Sequence, residues 1–156
     1  MNDFEKLIKS EIIAKTSDIK LIVNSGNNVE VIKCHSNILC IKSTYFYNLI
    51  ESKFSESQSG EINTHCSKEA IIAILQYIYI GKIDKSFFIE SNYETILEMY
   101  SKLCEYQMEK VKNVVEVFIL AFLNEENLKL LLQSTILNRD DPFTMKAIKF
   151  IANYFK

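Results

Sequence analysis

Asp18-Ile19-Lys20-Leu21-Ile22-Val23-Asn24-Ser25-Gly26-Asn27-Asn28-Val29-Glu30-Val31-Ile32-Lys33-Cys34 is the stretch whose reading decides the fold. Ile19, Leu21 and Val23 alternate with Asp18, Lys20 and Ile22, and β-branched residues dominate, so Thr16 to Val23 predicts a strand. Val29, Val31 and Lys33 oppose Glu30, Ile32 and Cys34 in the same two-residue period. Between them, Asn24 to Asn28 supplies residues that tolerate positive φ, which makes the pair a hairpin. Gly26, Gly60 and Gly81 all fall at proposed element boundaries.

Outward from the hairpin the period changes. Toward the N-terminus, Phe4, Leu7, Ile8 and Ile12 lie at helical spacing, so Phe4 to Ala14 predicts one short amphipathic helix. Toward the C-terminus, Ser36 is placed to cap a helix through Leu39 and Ile41, and Thr44 to cap a second with Phe46, Leu49, Ile50 and Phe54. Ser55 to Gly60 reads as polar loop and Glu61 to Thr64 as a short third strand. Ser67 then precedes Ala70 to Ile80, apolar on nearly every face and so expected to be buried all round. From Asn92 the reading is wholly helical. Ile96, Leu97, Tyr100, Leu103 and Cys104 form one stripe, and Val111, Val114, Val115, Phe118 and Ile119 a second. Asn124 caps a helix with Leu128, Leu131 and Leu132 inward; Asp141-Pro142 opens another, lined by Met145, Ile148, Ile151 and Ala152.

With 156 residues and 48% hydrophobic content, the chain is long and apolar enough to bury a core without metals or staples. A net charge of −2 with both signs interspersed leaves no basic stripe to track phosphates, so nucleic acid is not an expected partner. Cysteines at 34, 40, 66 and 104 form no CxxC pair, a spacing that fits a reducing compartment. The Met1-Asn2-Asp3-Phe4-Glu5-Lys6 start lacks the basic-then-apolar pattern of a signal peptide, and Val114 to Leu123 is too short to span a bilayer and is broken by Glu116. The expectation is a cytoplasmic or nuclear protein with no membrane partner. Gly-rich phosphate loops, paired-carboxylate motifs and HExxH are absent, so no catalytic residue and no cofactor is expected. Cys34-His35 and His65-Cys66 hold the residue types zinc prefers. Neighbours on a strand point to opposite faces, however, so neither pair readily offers both side chains to one ion, and no metal site is expected.

The order of pieces resembles the BTB/POZ family over residues 17 to 122. The residues that carry the likeness are Asp18 in the first strand, the junction His35-Ser36, Leu39, Lys42-Ser43 and Tyr45-Phe46, and the helix ending Tyr79-Ile80-Gly81. Ser36 stands where the family usually has Lys, and Thr44 where Pro is common; both residue types still begin a helix. Beyond Phe122, the Asn124-Glu125-Glu126-Asn127-Leu128 start and the ending from Lys146 to Phe155 look like the helical pair of a BACK or 3-box extension. The resemblance implies an α+β fold: a small three-stranded sheet flanked by a helical cluster, with a C-terminal helical pair. It implies a dimerisation helix at 1–15, a BTB/POZ domain at 16–122 and the extension at 123–156. Isoleucine, lysine and asparagine richness suggests an AT-rich genome, such as those of the large DNA viruses and protists that carry BTB proteins.

Two sites follow from the resemblance. The triplet Phe54-Ser55-Glu56 lies where cullin-binding members place an apolar anchor and a carboxylate, and Tyr45, Tyr47 and Glu51 precede it on the same helix. Cullin-3, and through it the ubiquitination of an unknown substrate protein, is the implied partner. The alternative is a free-standing oligomeriser, or a competitor of full-length adaptors. The helix bearing Phe4, Leu7, Ile8 and Ile12 is too short to be stable alone, so it packs either on a second subunit in a homodimer or on its own chain. Asp18 and Lys42 are candidates for an ion pair at such an interface.

Overall fold

The computed structural model describes residues 3–52, 59–134, 136–137 and 142–154. The first elements are helices α1 (Asp3–Ile8) and α2 (Glu11–Thr16), strands β1 (Ile19–Ser25) and β2 (Asn28–Cys34), and helices α3 (Ser36–Lys42) and α4 (Thr44–Glu51). Strand β3 (Glu61–His65) follows, then α5 (Lys68–Ile80), α6 (Tyr93–Glu105), α7 (Glu109–Ala121), α8 (Glu125–Gln133) and α9 (Pro142–Tyr154). Short 3-10 turns at Lys85–Phe87 and Glu90–Asn92 join α5 to α6. The architecture is α+β, as the alternating opening and helical remainder predict.

The strand order is β2-β1-β3. β1 and β2 form the expected antiparallel hairpin, with Ser25 opposite Asn28 across a two-residue turn whose first residue, Gly26, has φ +58°. A side chain would be strained there, and glycine at that place is the requirement of a tight hairpin turn. β3 runs parallel to β1, with Leu21 opposite Ile62, so the chain must cross over between them, and α3 and α4 lie in that connection. Ile19, Leu21, Val23, Ile32, Cys34, Ile62 and Thr64 make the buried face of the sheet. α5 is buried from Ala70 to Gln76 and again at Ile78, and it ends where Gly81 takes φ +75°. No described helix is long and apolar enough to cross a membrane.

Several expectations change. The predicted single N-terminal helix is two, because Ser10 accepts the Ile13 amide (3.4 Å) and restarts the chain in a new direction. His35, not Ser36, occupies the N-cap of α3, and Ser43, not Thr44, caps α4, its hydroxyl accepting the Phe46 amide at 3.3 Å. Ser67 stands at the N-cap of α5 without a side-chain cap; its own amide donates to the Glu98 carboxylate (2.9 Å). α9 buries Phe143, Thr144 and Ala147, and leaves Met145, Ile148 and Ala152 exposed. Its rotation is set by Phe143 against Tyr100 (ring centroids 5.0 Å) and by Lys146 reaching Glu116 (2.8 Å). Leu132, Val114 and Cys104 also face solvent instead of the core.

Candidate interaction surface

Two parts of the described surface carry expected site residues, and a third adds an exposed apolar edge. The first is the N-terminal pair of helices. Phe4 is buried in its own chain's core, its ring 6.1 Å from that of Tyr79, and Ile8 is half-buried against the same core. Leu7 and Ile12 face out, 43% and 73% exposed. One apolar stripe is thereby split into residues that hold the helices down and residues that remain available.

A polar clip fixes this segment to the sheet. Thr16 Oγ1 donates to the Ile12 carbonyl (2.8 Å) and so has its lone pairs for His35 Nε2, 2.8 Å away. The Tyr79 hydroxyl accepts the His35 amide (3.0 Å) and gives its own proton to His35 Nδ1 (2.9 Å). Both ring nitrogens of His35 are thus engaged in joining α2, β2 and α5. Burial pushes the Tyr79 phenol up to about 12, and the adjacent Cys34 thiol also to about 12, which keeps that thiol protonated and a poor nucleophile.

Asp18 and Lys42 are both exposed. Partial burial works to raise Asp18, but two bonds from Ser36, one from the hydroxyl and one from the amide (2.8 Å), outweigh it and hold the carboxyl below its ordinary value. Among the described residues no ion pair joins Asp18 to Lys42 within the chain.

The second part is the outer face of α4. Tyr47 and Glu51, one turn apart, are exposed. Tyr45 is half-buried, its ring 5.2 Å from Tyr106 and 5.4 Å from Phe46. Phe54 and Glu56 lie outside the described residues.

The two Cys/His pairs sit at opposite ends of the sheet. Cys34 pairs with Ile19 and His65 with Asn24, which separates them by about 17 Å along β1. Among the described residues no three His, Cys, Asp or Glu side chains gather as a metal site.

The third part, which the sequence reading did not single out, is the outer edge of the sheet. Val29 and Val31 are 61% and 56% exposed on β2, the terminal strand on that side. Their alternation with Glu30 and Ile32 was legible; that β2 has no further strand neighbour among the described residues depends on β3 pairing with β1, which the local pattern does not encode.

Residues 4–123 match the model of the BTB/POZ domain family. Among solved structures, the BTB domain of zebrafish PATZ1 is similar, with 21% identity, a TM-score of 0.47, and coverage of 74% of this chain and 88% of that one. No curated protein matches the chain. With the family match spanning the hairpin, the crossover strand and the helices that bury them, the chain belongs to the BTB/POZ domain family of protein–protein interaction modules.

Proposed function

We propose that the chain homodimerises through α1 and α2 and acts as a cullin-3 ubiquitin-ligase adaptor in the cytoplasm or nucleus. The observation that carries the dimer is the division of labour in the N-terminal helices. Phe4 and Ile13 anchor them, the Thr16–His35 bond clips them, and Leu7 and Ile12 are left as fixed apolar projections. Six-residue helices held this way present apolar area without further ordering cost, and a two-fold axis lets each patch meet its own copy. Asp18 and Lys42, both exposed, are available to pair across that axis.

The cullin-3 contact is assigned to Tyr47 and Glu51 on α4 together with the Phe54-Ser55-Glu56 triplet that follows. Residues 1–15 serve as the dimerisation segment, 16–122 as the interaction domain, and α8 with α9 as the BACK/3-box-like extension. The second reading, a free-standing oligomeriser or competitor without ligase recruitment, is favoured by Tyr45, whose ring packs within its own chain.

Mass in solution tests the first claim. A dimer near twice 18.1 kDa that Leu7→Asp with Ile12→Asp converts to monomer supports it, and a monomeric parent chain refutes it. Capture of cullin-3 by the parent chain, with loss on Phe54→Ala plus Glu56→Ala, tests the second. Equal recovery by both leaves the oligomeriser reading.

A further inference from the structure

We propose that a small cavity between α5 and the 3-10 turns binds the free amino terminus of a partner polypeptide. The inference requires neither dimerisation nor cullin-3, because the cavity lies among residues to which neither role is assigned. It measures about 200 Å³ and is built on one face of α5, where Glu69, Ile72, Ala73 and Gln76 follow at helical spacing. Asp84, Phe87 and Asn92 close it from the connection to α6. That volume is below the roughly 300 Å³ at which drug-sized pockets begin, so it suits a single residue.

Gln76 is the group that the fold leaves half-used. It is 8% exposed, and its Oε1 accepts the Asp84 amide at 2.8 Å. An N–H has to meet the oxygen, so this bond fixes which way the carboxamide is turned. Among the described residues no acceptor reaches Nε2. The sealed side-chain polar atoms without a partner are Ser67 Oγ and Thr144 Oγ1, so Nε2 is open to the cavity that Gln76 lines. A nearly buried amide with a spare donor calls for an acceptor, and a carbonyl oxygen supplies one.

The rim has the opposite character. Asp84 Oδ1 accepts both the amide (2.9 Å) and the hydroxyl (2.8 Å) of Ser86, and these bonds hold the carboxyl below its ordinary value. Its Oδ2 is left over, as is Asn92 Oδ1, whose amide nitrogen donates to the Phe87 carbonyl (3.0 Å). Glu69 has no hydrogen bond or ion pair among the described residues. No described lysine or arginine lines the cavity, and Lys82 acts on Asp84 from outside it. A bare cation therefore meets Gln76 Nε2 with the wrong sign, a carboxylate meets Asp84 and Glu69 with the wrong sign, and a neutral amide leaves the acids unused. An ammonium beside a carbonyl satisfies both ends. The bond to the Asp84 amide holds that carboxylate beside the Gln76 carboxamide, as the adjacent ammonium and carbonyl of a chain terminus require. The carbonyl takes the Nε2–H, the ammonium takes Asp84 Oδ2 and Asn92 Oδ1, and a small side chain lies on Ile72 and Phe87. Glu69 stands about 10 Å further along the α5 axis and repels a terminal carboxylate there, so the ligand continues as a chain.

The probe is alanylalaninamide, titrated into the isotope-labelled full chain and followed by heteronuclear NMR. Saturable shifts of the Gln76 side-chain NH2 and of the Asp84 and Ser86 amides are expected. N-acetylation of the probe removes the ammonium and leaves the protein untouched, and a loss of about tenfold or more is expected. Asp84→Asn still accepts the Ser86 bonds and weakens binding likewise. So does Gln76→Glu, which keeps an acceptor for the Asp84 amide and replaces the donor by oxygen; the dispersion of the remaining signals reports that the fold is kept. Alaninamide is expected to bind more weakly, because it lacks the residue that runs past Ile72 toward Glu69. No saturable shift at Gln76, or equal binding of the acetylated probe, overturns the proposal. Equal binding of alaninamide overturns the polypeptide terminus as occupant and assigns the cavity to a small amino amide.

Discussion

The Asp18 carboxylate accepts both the amide and the hydroxyl of Ser36, eighteen positions later in the chain, at the first residue of α3. His35 occupies the N-cap without a side-chain bond, so the cap of this helix is supplied from the entry to β1. One carboxylate thereby ties the start of the sheet to the start of the crossover. Asp18→Asn keeps the shape and loses the charge-assisted part of the cap, and a cost of about 0.5–1 kcal/mol is expected at this exposed site. The folded carboxyl titrates below its ordinary value of 3.8, so its contribution is complete above that pH and is lost as pH falls through the lower folded value. Urea denaturation of parent and variant chains should differ at neutral pH and converge in strong acid. A difference that persists unchanged in acid would place the effect elsewhere.

Tyr79 holds the His35 amide and Nδ1 at once. Tyr79→Phe removes the hydroxyl and leaves two groups in a partly buried site without their partner, so about 1–3 kcal/mol of stability should be lost at neutral pH. The phenol is raised from 10 to about 12, first by burial, so the folded state favours the protonated form. Its stabilisation is therefore intact below pH 10 and declines as pH climbs from there toward 12. Alkaline denaturation should be shallower for the variant over that interval. An identical slope would show that Tyr79 titrates alike in the folded and the unfolded chain.

Phe46 sits between Tyr45 and Tyr106, with ring centroids at 5.4 and 4.6 Å, and is 1% exposed. The cluster is locked by Ser43 Oγ donating to the Tyr106 carbonyl (2.7 Å) and by the Thr64–Tyr106 hydroxyl contact (2.8 Å). Little room exists for neighbours to close over a void. Phe46→Ala should cost about 3–5 kcal/mol by urea denaturation, against about 1 kcal/mol for Tyr106→Phe, which removes one hydroxyl and no ring. Comparable losses would mean that the site collapses around the missing ring.

What the sequence disclosed and what it withheld divide along a physical line. The hairpin, the all-round burial of α5 and the glycine stop at Gly81 depend on patterns within a few residues, and each is read directly. α9 offered two apolar stripes at helical spacing, Met145/Ile148/Ala152 and Phe143/Ala147/Ile151, and periodicity alone does not choose between them. Tyr100 and Glu116, on other helices, make the choice. The same holds at the candidate surfaces. Leu7, Ile12 and Tyr47 lie at the surface as a helical reading allows, whereas Phe4 and Tyr45 turn inward because Tyr79 and Tyr106 wait for them from distant segments. Side chains whose place depends on a long-range neighbour are the ones that a local pattern leaves open.

That dependence gives a last prediction, at the seam between α7 and α9. Glu116 is nearly fully buried; its carboxylate receives Lys146 at 2.8 Å and the Tyr100 hydroxyl at 3.2 Å. Lys146 itself is mostly exposed, so water recovers part of its loss, but Glu116 has less access to that compensation. Lys146→Met should therefore cost about 1–3 kcal/mol, chiefly through the acid left behind, and should speed amide hydrogen exchange in α9 ahead of the sheet. Adding Glu116→Gln removes the stranded charge and should restore much of the loss, because the amide still accepts the Tyr100 hydroxyl. If the double variant is no better than Lys146→Met alone, the pair is not what holds α9 in its rotation, and Phe143 against Tyr100 carries it instead.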